Sequence, residues 1–349
     1  MVKNIFFSCF LLRLVFSTCA FAETTRIGVL TDLSGPVAFW GKQTRIGAEI
    51  AKDEIQAKGG DVALYFGDHQ LQSKTAVSEF QKLTDIDHIE ALYMDFTPTA
   101  VAVAPLTKNK GIPAIYAAAA VSPLSASPYI FKTYLNYVDG CRTVGEYWRQ
   151  KGLKTVGILK SSLEFGELCI KGLKQVFPNL IEVGYNPSDD IASQVLLLKS
   201  KDVEAVMNVA FEPDFVQMLQ RFQNLKWHPY VGTQHDAIGE VVKLGFGVEL
   251  ERTTVFSLPS LPTDFIAKVK LKDSANTMTS LEAAGLAYLH VRHLFAALVA
   301  CPRRDGNCVV DKLSSSEEDS ISGFNGWKNR IADFKVGLRT WRGGVEVDR

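Results

Sequence analysis

Several things this sequence lacks narrow its chemistry before anything present in it is considered. Charge of neither sign is in surplus: 38 Lys and Arg stand against 38 Asp and Glu. A chain that grips nucleic acid or an anionic membrane carries a basic excess, so those partners are excluded. There is no phosphate-cradling loop, no G-x-G-x-x-G after a strand, and no His/Cys group at metal-ligand spacing. The six histidines (His69, His88, His228, His235, His290 and His293) are scattered. His290 and His293 share a helical face but lack a third ligand, so packing is their expected role and no metal site is expected. Ser161 and Ser162 have no adjacent base to make a nucleophile. Only His235 and Asp236 approach a titratable pair, so catalysis is not expected. Past the first residues no uncharged apolar run is long enough to cross a bilayer. The nearest, Leu281 to Ala300, is interrupted by Glu282, His290, Arg292 and His293.

The first residues have the layout of a secretory signal peptide: Lys3, then a mostly apolar stretch from Ile5 to Phe16, then Ala20-Phe21-Ala22 as a small-x-small cleavage site. Residues 1–22 are expected to be removed, leaving 23–349, ample for two domains. Lys3 and Arg13 go with the leader, tipping the remainder slightly acidic. Cys9 and Cys19 go too. Cys141, Cys169, Cys301 and Cys308 remain, an even number suited to an oxidising compartment. Cys301 and Cys308 bracket the turn-rich Pro-Arg-Arg-Asp-Gly-Asn loop, which closes easily. Cys141 and Cys169 can pair if their helices pack on one face.

Short apolar runs alternate with amphipathic ones along the rest of the chain. Arg26–Thr31, Val62–Phe66, Ile89–Met94 and Ile112–Tyr116 read as strands. Lys42–Lys58, Thr75–Leu83 and Thr99–Lys108 read as helices, the first stopped by Gly59. The βαβ order implies a parallel sheet covered on both faces. The pattern restarts with helices at Gly140–Gln150, Gly166–Phe177, Ile191–Lys199 and Pro213–Leu225. Strands at Thr155–Leu159, Ile181–Val183, Ala205–Val209 and Tyr230–Gly232 alternate with them. The fold class is therefore α/β, two doubly wound parallel-sheet lobes, with Phe131–Asp139 and Thr254–Pro262 suited to crossovers. A ligand is expected beyond the carboxyl ends of the strands, between the lobes.

The turn Thr31-Asp32-Leu33-Ser34-Gly35-Pro36-Val37-Ala38-Phe39-Trp40-Gly41, running on to Ile55-Gln56-Ala57-Lys58-Gly59-Gly60, resembles the opening of the type I periplasmic binding proteins. The specific likeness is to the group that binds branched-chain amino acids, amides and urea. Gly111-Ile112-Pro113-Ala114-Ile115, Phe165-Gly166 and Gly326-Trp327 to Trp341 continue it over nearly the whole chain. The resemblance implies two lobes joined by three crossovers near Thr133, Ser257 and Trp327. Residues 23–133 and 258–326 would form the first lobe, and 134–257 with 327–349 the second. It implies a periplasmic monomer without cofactor that closes on a small ligand and hands it to the permease and ATPase subunits of an ABC importer.

By the same resemblance, Thr97 and Ala118, Ala119 and Ala120 hold the ligand carboxylate. The hydroxyl that the family places near Ala120 is missing here until Ser122. Trp40 is expected as an exposed aromatic against the ligand, with Phe165 and Phe211 as second-lobe aromatics. The family's second-lobe acid, which pairs with an ammonium, is replaced by Gln234, with Asp236 two residues on. A branched-chain amino acid, an amide, or an aromatic or aliphatic acid remain open as ligand, as does a sensor role at a membrane receptor.

Overall fold

The structure is a computed structural model describing residues 24–162, 164–186, 189–210, 212–234, 244–273, 280–316, 319, 323–343 and 345–348. The expected signal segment, Phe211 and Asp236 lie outside the described residues. The chain begins β1 (Thr25–Thr31), α1 (Ala38–Ala57), β2 (Val62–Asp68), α2 (Ser73–Asp85), β3 (Ala91–Asp95), α3 (Thr97–Lys110), β4 (Ala114–Ala117), α4 (Pro123–Ala126) and β5 (Ile130–Thr133). The second series is α5 (Tyr137–Gln150), β6 (Val156–Ser161), α6 (Glu164–Leu173), β7 (Ile181–Tyr185), α7 (Ala192–Ser200), β8 (Ala205–Met207), α8 (Glu212–Asn224), β9 (Tyr230–Gln234), α9 (Gly247–Glu251) and β10 (Thr253–Ser257). The chain then returns through α10 (Thr263–Lys272), α11 (Leu281–Ala300), α12 (Gly306–Ser314), β11 (Phe324–Lys328) and β12 (Ile331–Phe334), and ends in β13 (Gly337–Arg342) and β14 (Val345–Asp348).

The two sheets share one plan. Their orders are β11-β12-β5-β4-β3-β1-β2 and β14-β13-β10-β9-β8-β6-β7, so each has five parallel strands and a late hairpin at one edge, joined in parallel through β12 in the first and antiparallel through β13 in the second. In each, the strand order reverses beside the first strand, at β1/β3 and at β6/β8. Such a reversal opens a crevice at the carboxyl ends of the strands. The first and second crossings between sheets follow Thr133 and Ser257. The third is corrected. It lies at residues 335–336 and not near Trp327, because β12 pairs with β5 through Ile331 and Lys132. Trp327 is held in the first lobe by its ring contacts with Phe131 at 4.9 Å and Phe324 at 5.1 Å.

The apolar periodicity of α1 buries Ala48, Ile50, Ala51 and Ile55, and Gly59, at φ 85°, ends that segment as glycine permits. Its partner is α11, the one helix among the described residues long and apolar enough to cross a membrane. Here it is a core helix, with Ala283 to Val291 buried without a break. Gly47 makes the pairing possible: a β-carbon there would strike the backbone carbonyl of Ala284. One apolar core runs from the α1/α11 face of the first sheet into the α5/α6 face of the second, and smaller cores cover the outer faces. Cys141 pairs with Cys169 across α5 and α6 at a Cα separation of 5.3 Å, and Cys301 pairs with Cys308 at 5.8 Å.

Candidate functional site

Three carboxylates shape the strand ends of the first lobe. Asp32, fully buried after β1, accepts the Gly35 N–H at 2.5 Å and the Val37 N–H at 3.0 Å, which fixes the turn that enters α1. Burial works to raise the Asp68 carboxyl, but the Ser34 hydroxyl and the backbone N–H groups of Leu33 and Gln70 outweigh it and hold the group below its ordinary value. Asp95, fully buried after β3, accepts Thr31 Oγ1 at 2.6 Å, Thr44 Oγ1 at 3.1 Å and His69 Nε2 at 2.9 Å. His69 Nδ1 accepts the Leu71 N–H at 2.9 Å, so the ring proton sits on Nε2 and points at Asp95. A buried carboxylate with three donors is fully answered, so this network is a brace.

The brace holds a strained aromatic group. Phe96, immediately after Asp95, has φ 66°, and Tyr134, just past β5, has φ 93°. Both are conformations that L residues adopt at a cost of about 1–3 kcal/mol and that cluster at binding sites. Each presents its ring edge-on to Trp40, at 5.8 and 5.5 Å. The expected exposed Trp40 is therefore corrected. It lies in the first turn of α1, packs back against these rings and is only 6% exposed. Its indole Nε1 is buried without a partner among the described residues. The exposed aromatic of this turn is its neighbour Phe39. From Tyr134 the rings continue into the second lobe. Tyr134 meets Tyr137 at 6.2 Å, and Tyr137 stacks on Phe165 at 5.7 Å and meets Phe256 edge-on at 5.8 Å. Trp40 and Phe165 thus belong to one aromatic ladder that follows the first crossing.

The polar groups divide by lobe. On the first, α3 starts at Thr97 behind an N-cap residue, Phe96, that makes no side-chain cap, so the positive end of the helix is open. The bend after β4 carries Ala118, Ala119 and Ala120, and none of their N–H groups donates to a backbone carbonyl among the described residues. The Ala120 carbonyl accepts the Tyr116 hydroxyl at 3.0 Å, which pins the bend over the sheet. On the second lobe, Ser161, Asn208, Thr233 and Ser257 are buried at the carboxyl ends of neighbouring strands, each with an oxygen lacking a partner among the described residues. The register puts all four on one sheet face. Asn208 is oriented by its amide N–H₂, which donates to the Leu159 carbonyl at 2.8 Å and the Tyr185 hydroxyl at 3.3 Å. On the opposite face, Gln234 donates to the Ala210 carbonyl at 3.2 Å and leaves its Oε1 unpaired.

Phe96, Tyr134, Tyr137, Asn208 and Thr233 were not singled out from sequence. One signal was available for the two tyrosines: a crossover joining strand ends must run along the crevice wall. Among the described residues no three His, Cys, Asp or Glu are grouped to hold a metal ion.

The profile of a family described as "Periplasmic binding protein" matches residues 24–337, and the chain belongs to that family, with the two-lobed architecture of its type I members. Over 147 residues it is 29% identical to the Leu/Ile/Val-binding protein homolog 6 of Brucella abortus, an alignment covering 40% of this chain and 37% of that protein. A substrate-binding protein of a branched-chain amino acid transporter from Streptococcus pneumoniae, solved with isoleucine, superposes with a TM-score of 0.77 at 16% identity, over 93% of this chain and 99% of the other. A solute-binding protein of an ABC transporter from R. palustris, solved with 4-hydroxybenzoate, gives 0.79 at 18% identity, over 94% and 96%. These likenesses establish the fold, and proteins so similar to it hold quite different small molecules.

Proposed function

We propose that the chain is the extracytoplasmic solute-binding component of an ABC importer, taking a small organic acid in the crevice between its lobes and delivering it to permease and ATPase subunits. It acts as a monomer without catalysis, exported by the segment 1–22, with both disulfides suited to an oxidising compartment. The observation that carries this is the unanswered donor set of the first lobe: the uncapped start of α3 at Thr97 beside the free N–H groups of Ala118, Ala119 and Ala120. Such a set attracts a carboxylate. Closure of the second lobe over a bound ligand then shifts the population of open and closed forms by the contacts made only when closed.

A branched-chain amino acid is one such acid. A second candidate, an aryl or alkyl acid without an ammonium, is favoured by Gln234, whose amide stands where an acid would be needed and is held to the Ala210 carbonyl. The aromatic ladder from Trp40 to Phe165 favours it too. A thermal-shift panel of L-leucine, L-phenylalanine, 4-hydroxybenzoate and the corresponding amides tests both. Ligand at 100 times its dissociation constant adds about 2.7 kcal/mol of stability. A shift with an acid and none with its amide is expected; stabilisation by amides alone would reject the carboxylate.

A further inference from the structure

The first lobe contains a cation that no hydrogen bond or ion pair among the described residues explains. Lys132 lies in β5, between Tyr116 of β4 and Ile331 of β12 in register, and is 2% exposed. Its ammonium has no hydrogen-bond or ion-pair partner among the described residues. Strand alternation puts it on the sheet face shared by Tyr116, and Ala118 continues that line one step beyond β4. The Tyr116 hydroxyl holds the bend of Ala118–Ala120 over this same face. Neither charge nearby makes an ion pair with it. The Arg330 guanidinium, just before β12, donates to the carbonyls of Leu124, Ser127 and Ile130. Glu164, at the start of α6 in the opposite lobe, is exposed to solvent. An ammonium buried without a hydrogen-bonded counter-ion is costly, and proteins keep such groups where a ligand completes the pair.

We propose that Lys132 is the cationic anchor of the ligand's carboxylate, meeting it at the bend of Ala118–Ala120 and replacing the hydroxyl that this bend lacks. The inference rests on the acid ligand proposed above. Burial lowers the Lys132 ammonium to about 8, with Glu164 across the crevice drawing it back upward. Acid binding should therefore weaken as pH rises through that value.

Calorimetry on the full chain with 4-hydroxybenzoate and L-leucine, each beside its amide, tests this. Lys132→Met should weaken binding of the acid by roughly 10- to 100-fold, the effect of one charge-assisted hydrogen bond, and change binding of the amide by less than about threefold. Lys132→Arg should keep the acid. Between pH 6 and 9 the wild type should lose affinity for the acid relative to Lys132→Arg, whose guanidinium stays charged; ionisation of the ligand itself is common to both and cancels. That comparison also stands if Lys132→Met fails to fold. Equal affinity of Lys132→Met and wild type for the acid, or parallel pH profiles in wild type and Lys132→Arg, overturns the role of Lys132 and leaves the acid ligand standing. If neither acid binds wild type, the acid ligand falls and the role of Lys132 falls with it.

Discussion

The two lobes have the same sheet plan and opposite chemistry at the crevice. The first presents donors: the open start of α3 and the free N–H groups of Ala118–Ala120. The second presents buried oxygens, of which those of Asn208 and Gln234 can only accept. A small molecule acidic at one end and bearing N–H or O–H groups at the other would satisfy both. Topology sets where ligand groups converge, and the side chains at the strand ends set which polarity each wall offers.

The largest test of the comparison is at its aromatic seam. Trp40→Ala empties the space between the strained Phe96 and Tyr134 and should cost about 3–5 kcal/mol in denaturant melts, more than Phe165→Ala, whose ring is only half-buried on the second lobe. The reverse order would put the rigid side of the site in the second lobe.

The disulfides compare the lobes next. Removing Cys141–Cys169, which closes a separation of 28 residues in the second lobe, should cost about 3.6 kcal/mol on loop-closure entropy. Removing Cys301–Cys308, separated by 7, should cost about 2.5 kcal/mol. Equal losses in calorimetric melts would mean that the bridges act mainly through native contacts.

A third test concerns acid stability, which should be weaker in the first lobe. His290 is fully buried with Nε2 bonded to Thr133 Oγ1 at 2.7 Å and Nδ1 unpartnered, and burial holds it well below its ordinary value, with His293 adding to the effect. Burial also lowers His293, to about 4, with Asp319 opposing and Arg292 adding. The unfolded chain takes these protons below about pH 6.5 and the folded chain resists them. Stability is then complete above that pH and falls as pH drops toward about 4, by the order of 3 kcal/mol for His293. His293→Gln should flatten that stretch of the pH–stability curve; an unchanged curve would remove the imidazole from the account.

The smallest effect is expected at Thr233. Its hydroxyl is buried and unpaired, so Thr233→Val should leave the empty protein as stable or raise it by about 1 kcal/mol, while weakening ligand. A clear loss of stability without ligand would mean that the second-lobe oxygens are already answered.

Much of the fold was readable from the chain. Ile46 to Ile55 and Ala76 to Leu83 have helical spacing, and the apolar runs at 26–31 and 89–94 read as strands, which the structure buries on both faces at 27–31 and 91–94. Ahead of the C-terminal hairpins, two strands escaped. β5 carries Lys132 within its four residues, and β10 opens on two threonines, so neither shows an apolar run although every residue of both is buried. The third crossing was misplaced because Trp327 and Phe334 look alike in sequence, and only pairing with β5 assigns them to the first sheet.

The sequence alone determined the alternation of strands and helices, the two-lobed class and the carboxyl ends where a ligand would sit, because period and turn chemistry are local properties of the chain. Tertiary structure alone decided that Trp40 is buried and Phe39 exposed, that Asp95 answers three donors, and that the Lys132 ammonium has no partner among the described residues. Whether a polar group has a partner depends on residues distant in the chain: Thr31 and Asp95 are 64 positions apart, and Thr133 and His290 are 157. That proximity is set by packing, and no local pattern encodes it.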